Sequence, residues 1–188
     1  MRIFISGGCK NGKSYYAQRL AKAAAGSSRS LYYIATMKPA DSEDDARIKR
    51  HRRERDGWGF TTVEQASNIE GILQKCDHGG SFLIDSITAL LANEMFPPDG
   101  DMDITAGERV VTGLSLVING VERIVIVSDF IYSDAAIYDP LTERYRKSLA
   151  EIDKAAAGEC DVVLEIAHSG VIVHKGKEIY NELCKEIA

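Results

Sequence analysis

The run Gly7-Gly8-Cys9-Lys10-Asn11-Gly12-Lys13-Ser14 has the spacing G-x-x-x-x-G-K-S. It follows the apolar segment Ile3-Phe4-Ile5 and opens a helical run from Tyr15 to Ala25. A loop of this composition between a strand and a helix binds phosphate. Gly7 and Gly12 allow backbone torsions and close approach that a Cβ would block. Successive N–H groups, added to the helix N-terminus, make a nest for phosphate oxygens, so Gly8, Cys9, Lys10 and Asn11 join the nucleotide-binding set. Lys13 reaches the β- and γ-phosphates as a point charge, and Ser14 can ligate Mg²⁺. A second piece of the same chemistry is Ser81-Phe82-Leu83-Ile84-Asp85, an apolar strand ending in a carboxylate that can reach Mg²⁺ or its water. Asp85 therefore joins Ser14 as a candidate metal ligand.

A third group is cationic. Arg47, Lys49, Arg50, Arg52 and Arg53 fall on a helix expected over Asp44–Glu54, with Arg55 just beyond and His51 in its middle. Arg47, His51 and Arg55 are spaced i, i+4, i+8 and share one face if the helix continues. Such a setting suits a histidine nucleophile attacking an α-phosphate, because the cations screen charge moving to the leaving pyrophosphate. They also favour the neutral imidazole. The same residues equally describe a solvated basic face with an incidental histidine.

The elements that must carry these residues alternate. Apolar strands are expected at Leu31–Thr36, Arg123–Ser128 and Cys160–Ile166, with weaker ones at Phe60–Val63 and Val171–His174. Helices are expected at Gln65–Lys75, Ile87–Phe96, Asp101–Gly120, Leu141–Gly158 and Lys177–Ile187, and a loop with aromatics at Asp129–Pro140. The alternation means α/β with a mainly parallel sheet flanked by helices, and the turn His168-Ser169-Gly170 implies an antiparallel edge hairpin. No linker interrupts residues 1–188, so one domain is expected.

Composition narrows the class. The chain has 188 residues, 45% hydrophobic, with a net charge of −5. That balance provides no broad basic field for nucleic acid. Cys9, Cys76, Cys160 and Cys184 are scattered without a C-x-x-C pair, which argues for a reducing, cytoplasmic setting. The chain enters a strand at once, so no signal peptide is expected, and no apolar run is long enough to insert in a membrane.

Three blocks together resemble the bifunctional adenosylcobinamide kinase/adenosylcobinamide-phosphate guanylyltransferase family. They are the Ser6–Ser14 loop; Tyr33-Ile34-Ala35-Thr36 followed by Arg47–Arg55 and Trp58; and Leu83–Asn93. They span about the first half of the chain, and the block R-I-x-x-H-R-x-x-R after Y-I-A-T is the specific part. The resemblance implies a RecA-like P-loop fold, a homotrimer, and a place in cobalamin assembly. It implies phosphorylation of adenosylcobinamide by a nucleoside triphosphate (ATP or GTP), then transfer of GMP from GTP through a guanylylated histidine. His51 matches that histidine; in the mechanism read from the residues Lys13 is the second catalytic residue, holding phosphates with the loop amides, and Arg47, Arg50 and Arg55 screen them. The second half departs from the family pattern. Ser128-Asp129-Phe130-Ile131 replaces an N-E-V-G-like turn, and the helix after Pro140 has Lys147, Ala150, Asp153 and Lys154 where the family has D, G, N and Q. A plain small-molecule kinase and a non-catalytic GTP-binding paralogue are the alternative readings.

Overall fold

The computed structural model describes residues 1–39, 49, 52–53, 55–98, 100–168 and 170–186. Seven strands form one sheet: β1 (Arg2–Gly7), β2 (Leu31–Ala35), β3 (Phe60–Glu64), β4 (Ser81–Asp85), β5 (Arg123–Val127), β6 (Val162–Ala167) and β7 (Gly170–Lys175). Their order is β3-β2-β4-β5-β1-β6-β7. All pairs are parallel except β6–β7, the expected edge hairpin. The helices are α1 (Lys13–Ala25), α2 (Ile87–Met95), α3 (Ala106–Gly120), α4 (Pro140–Glu159) and α5 (Lys177–Lys185).

The central strands are apolar on both faces because both faces are covered. Phe4, Ile34, Phe82, Ile84, Ile124 and Ile126 pack under α2, α3 and α4. The alternate residues Ile3, Ile5, Leu83, Val125 and Val127 pack under α1, with Leu183 of α5 in the same cluster. The outer strand β3 is more polar and more exposed, as a strand with one open edge must be.

Two expected helices are shortened, in each case by side chains that compete with the backbone. Between Gln65 and Lys75 only Ile69–Gln74 winds, as a 3₁₀ helix. Gln65 Nε2 donates to the carbonyls of Ser67 (2.6 Å) and Asn68 (2.9 Å), and Asn68 takes a left-handed conformation. Helix α3 starts at Ala106 rather than Asp101, because Asp103 Oδ1 accepts from the amide and hydroxyl of Thr105 (2.8 and 2.7 Å). Helix α4 begins at Pro140, one residue before the expected Leu141: Asp139 accepts from the amides of Leu141 and Thr142, and Pro140 occupies the first turn.

Candidate active site

The sheet order brings four strand ends together. Those of β1, β5, β4 and β2 carry, respectively, the glycine loop, Asp129, Asp85 and Thr36, at the carboxyl edge where parallel sheets bind ligands.

The loop is anchored at both ends. A Cβ on Gly7 would sit 2.4 Å from the Ile166 carbonyl oxygen and 2.6 Å from Asn11 Nδ2. Only glycine lets β1 and the loop approach β6 this closely. Asn11 Nδ2 donates to that same Ile166 carbonyl (2.5 Å), and its Oδ1 accepts from the Lys13 amide (3.3 Å). Gly12 has φ 87°, a left-handed conformation at the entry to α1. Gly8, Cys9, Lys10 and Gly12 are exposed at the mouth, whereas Lys13 is 5% exposed. Its Nζ donates to the Gly8 carbonyl (2.9 Å) and pairs with Asp129 Oδ1 at 2.5 Å.

Asp85 stands across from the loop. Ser14 Oγ donates to Oδ1 (3.3 Å) and Tyr33 OH donates to Oδ2 (2.8 Å). The Asp85–Ser86 peptide is cis. Thr36 joins the strand ends: its Oγ1 donates to the Ser86 carbonyl (2.8 Å) and accepts from the Ser86 amide (2.7 Å). Asn93 Nδ2 holds the carbonyls of Thr36 (2.7 Å) and Ala66 (3.0 Å). Thr88 Oγ1 accepts from the Asp129 amide (2.9 Å), and the Thr88 carbonyl accepts from Tyr145 OH (2.9 Å). Thr88 and Asn93, which a helix leaves free to cap or pack, instead hold site backbone.

Beside Asp85 a cleft of about 450 Å³ is bordered by Tyr33, Lys38, Lys49, Arg52 and Arg55. Lys49, Arg52 and Arg53 have helical backbone, but Arg55 lies in the following turn, off the helix that would have placed it on one face with Arg47 and His51. The Arg55 guanidinium is buried. It stacks 3.8 Å from the Tyr33 ring centroid and donates to Thr62 Oγ1 (3.2 Å). Burial pulls it below the usual guanidinium value. Arg47, Arg50 and His51 lie outside the described residues. Tyr15 is exposed and meets Trp58 edge-on at 5.7 Å, while Tyr16 bonds the Tyr180 hydroxyl. His78 and His174 are exposed; they bond the Leu73 carbonyl (2.7 Å) and Glu165 (2.8 Å).

Sequence reasoning missed Asp129 as a site residue and assigned it to an aromatic loop. The signal was present: Ile124–Val127 is an apolar strand followed closely by a carboxylate, the rule that found Asp85.

A phosphate loop, a strand-end carboxylate opposite it and a mainly parallel sheet define a P-loop nucleotide-binding protein. A solved ATPase domain shares the fold at a TM-score of 0.52 with 11% identity, over 94% of this chain and 77% of that one. The family is more specific. Residues 3–174 match the model of the cobinamide kinase / cobinamide phosphate guanyltransferase family, and the chain belongs to that family. It is 30% identical over 163 residues to the bifunctional adenosylcobalamin biosynthesis protein CobP of Pseudomonas aeruginosa, covering 87% of this chain and 91% of the relative. It is 25% identical to CobU of Salmonella typhimurium over 87% of this chain and 93% of that protein. The match to CobU of Escherichia coli is 33% identical over 55% of each chain.

Proposed function

We propose that this chain phosphorylates the aminopropanol hydroxyl of adenosylcobinamide with a nucleoside triphosphate, then joins GMP from GTP to the new phosphate. The observation that carries this reading is the anchored glycine loop, with Lys13 and Ser14 facing Asp85, opening beside a cationic cleft in a chain of this family.

In the first reaction the loop amides of Gly7–Ser14 and Lys13 hold the triphosphate, and the acceptor hydroxyl attacks the γ-phosphorus. Ser14 Oγ and Asp85 Oδ1, 3.3 Å apart, form an oxygen-only pair suited to a hard cation that keeps water and phosphate as its other ligands. They would hold Mg²⁺, which when bound screens phosphate charge. In the second reaction a ring nitrogen of His51 attacks the α-phosphorus of GTP, forming an N–P bond as pyrophosphate leaves. The acceptor phosphate then takes GMP from the histidine. Support comes from the block Arg47–Arg55, whose described members Lys49, Arg52 and Arg55 border the cleft beside Asp85. Arg47, Arg50 and Arg55 neutralise the phosphates in this scheme. The whole chain acts as one transferase domain, in a homotrimer, in the cytoplasm.

The test is incubation with Mg²⁺ and GTP labelled at the α-phosphate, beside His51→Ala. Protein-bound, acid-labile label absent from the variant is the expected result. No label in wild-type protein that binds GTP would remove the guanylyl half. It would favour a small-molecule kinase that leaves His51 unused, or a GTP-binding paralogue, the latter motivated by the altered Asp129–Lys154 region.

A further inference from the structure

Asp129 is the one described carboxylate at these strand ends to which the two-reaction scheme gives no part. It is half-buried, and its backbone amide is fixed by Thr88 Oγ1 at 2.9 Å. The amide of its neighbour Phe130 donates to the Gly7 carbonyl (2.9 Å), so the chain after β5 is tied directly to the phosphate loop. Oδ1 lies 2.5 Å from Lys13 Nζ, the atom that meets the β/γ-phosphates when the loop is filled. No described residue bonds Oδ2. Strand β5 lies between β1 and β4, so Asp129 stands between the phosphate loop and Asp85.

Resting on the kinase half of the proposed function, we infer that Asp129 is the catalytic base that takes the proton of the acceptor hydroxyl during phosphoryl transfer. The hydroxyl oxygen forms a bond to the γ-phosphorus. The bond from that phosphorus to the β,γ-bridging oxygen breaks, and the nucleoside diphosphate leaves with the electron pair. The hydroxyl proton passes to the Asp129 carboxylate and then to water. Asp85 is poorly placed for this task because both its oxygens are engaged, by Ser14 and Tyr33. Glu64 is exposed and paired with Arg52 at 3.0 Å. In a loose phosphoryl-transfer transition state the nucleophile is little bonded and its proton leaves late, so a carboxylate suffices to accept it.

The geometry gives Asp129 opposite effects on binding and turnover. Its negative charge holds Lys13, and with a triphosphate bound it repels the phosphates. Replacing it with a neutral isostere therefore strengthens nucleotide binding while slowing phosphorylation. The second reaction has no hydroxyl to deprotonate, since its acceptor is already a phosphate, and is spared.

The experiment compares wild type with Asp129→Asn in three measurements: Kd for ATP and GTP, turnover of adenosylcobinamide phosphorylation, and guanylyl transfer to pre-formed adenosylcobinamide phosphate. The expected result is equal or tighter nucleotide binding, phosphorylation reduced by about 100-fold or more, and guanylyl transfer within about threefold of wild type. Unchanged phosphorylation overturns the inference. So does a parallel loss of binding and both reactions, which would make Asp129 a support for Lys13. If Asp129→Asn does not fold, Asp129→Ala with added formate serves instead: restored phosphorylation supports the base, and its absence in a variant that binds triphosphate counts against it. Wild type that phosphorylates no cobinamide sinks the parent reading as well. Active wild type with fully active Asp129→Asn sinks this inference alone.

Discussion

Lys13 combines two roles at one atom. Its ammonium is nearly buried and satisfied by the Gly8 carbonyl and the Asp129 carboxylate, which hold its charge in place. Lys13→Met should remove triphosphate affinity and slow any phosphoryl transfer by about 100-fold or more, read by calorimetry and turnover. Because the substitution strands Asp129 without its partner, a Lys13→Met/Asp129→Asn double variant should recover thermal stability relative to Lys13→Met without recovering turnover. Gly7 is a matching case on the backbone side. In Gly7→Ala the new methyl meets the Ile166 carbonyl, so the loop or β6 must shift. A loss of about 1–3 kcal/mol in a denaturation curve, together with weakened nucleotide binding, is expected. An alanine variant with wild-type stability and affinity would show that the loop can open without cost.

Among the elements, α4 bears most on the site after α1. Its Tyr145 reaches the Thr88 carbonyl, and its Arg146 bonds the Ile131 carbonyl (3.2 Å), Glu143 (2.5 Å) and Asp134 (3.0 Å), organising the segment after β5. Asp153, on the same helix, is 3% exposed and accepts from Tyr132 OH at 3.1 Å. Burial pushes its carboxyl from 3.8 up to about 7, and the nearby Asp129 charge adds to the rise. The folded chain therefore keeps this proton at pH values where the unfolded chain has lost it. Folded protein binds more protons between about pH 4 and pH 7, so Asp153 lowers stability progressively as pH rises through that window, and its cost is complete above it. Asp153→Asn, which retains an acceptor for Tyr132, should raise Tm by several degrees at pH 8 and by little at pH 4. An equal gain at both values would mean that ionisation of Asp153 is not the cause.

At the scale of the whole molecule, the sheet places charge where phosphate chemistry needs it although the chain is acidic overall. With a net charge of −5, attraction for a polyanionic ligand is local, confined to the loop and the cationic cleft. Triphosphate binding should weaken with salt, while duplex DNA should not be retained at physiological ionic strength; tight, steeply salt-dependent DNA binding would contradict this. The proposed trimer predicts a solution mass of three chains by light scattering, and a mass of one chain at working concentration would remove it.

Much of this was legible in the residues. The glycine loop, Lys13, Ser14 and Asp85 announce themselves because phosphate and metal chemistry accepts few residue types, at fixed spacing between a strand and a helix. The α/β class was equally plain, since buried parallel strands are continuous apolar runs. Where side-chain hydrogen bonds compete with the helix, at Gln65–Asn68 and Asp103–Thr105, periodicity overran the true elements. Only the tertiary structure decided which strands are neighbours. By laying β5 between β1 and β4 it set Asp129 against Lys13, and by placing Arg55 in a turn it set that guanidinium onto Tyr33. Local spacing specifies a motif because its residues are covalently close. Strand order is a property of packing among segments far apart in the chain, and so is the pairing of Lys13 with a carboxylate more than a hundred residues away.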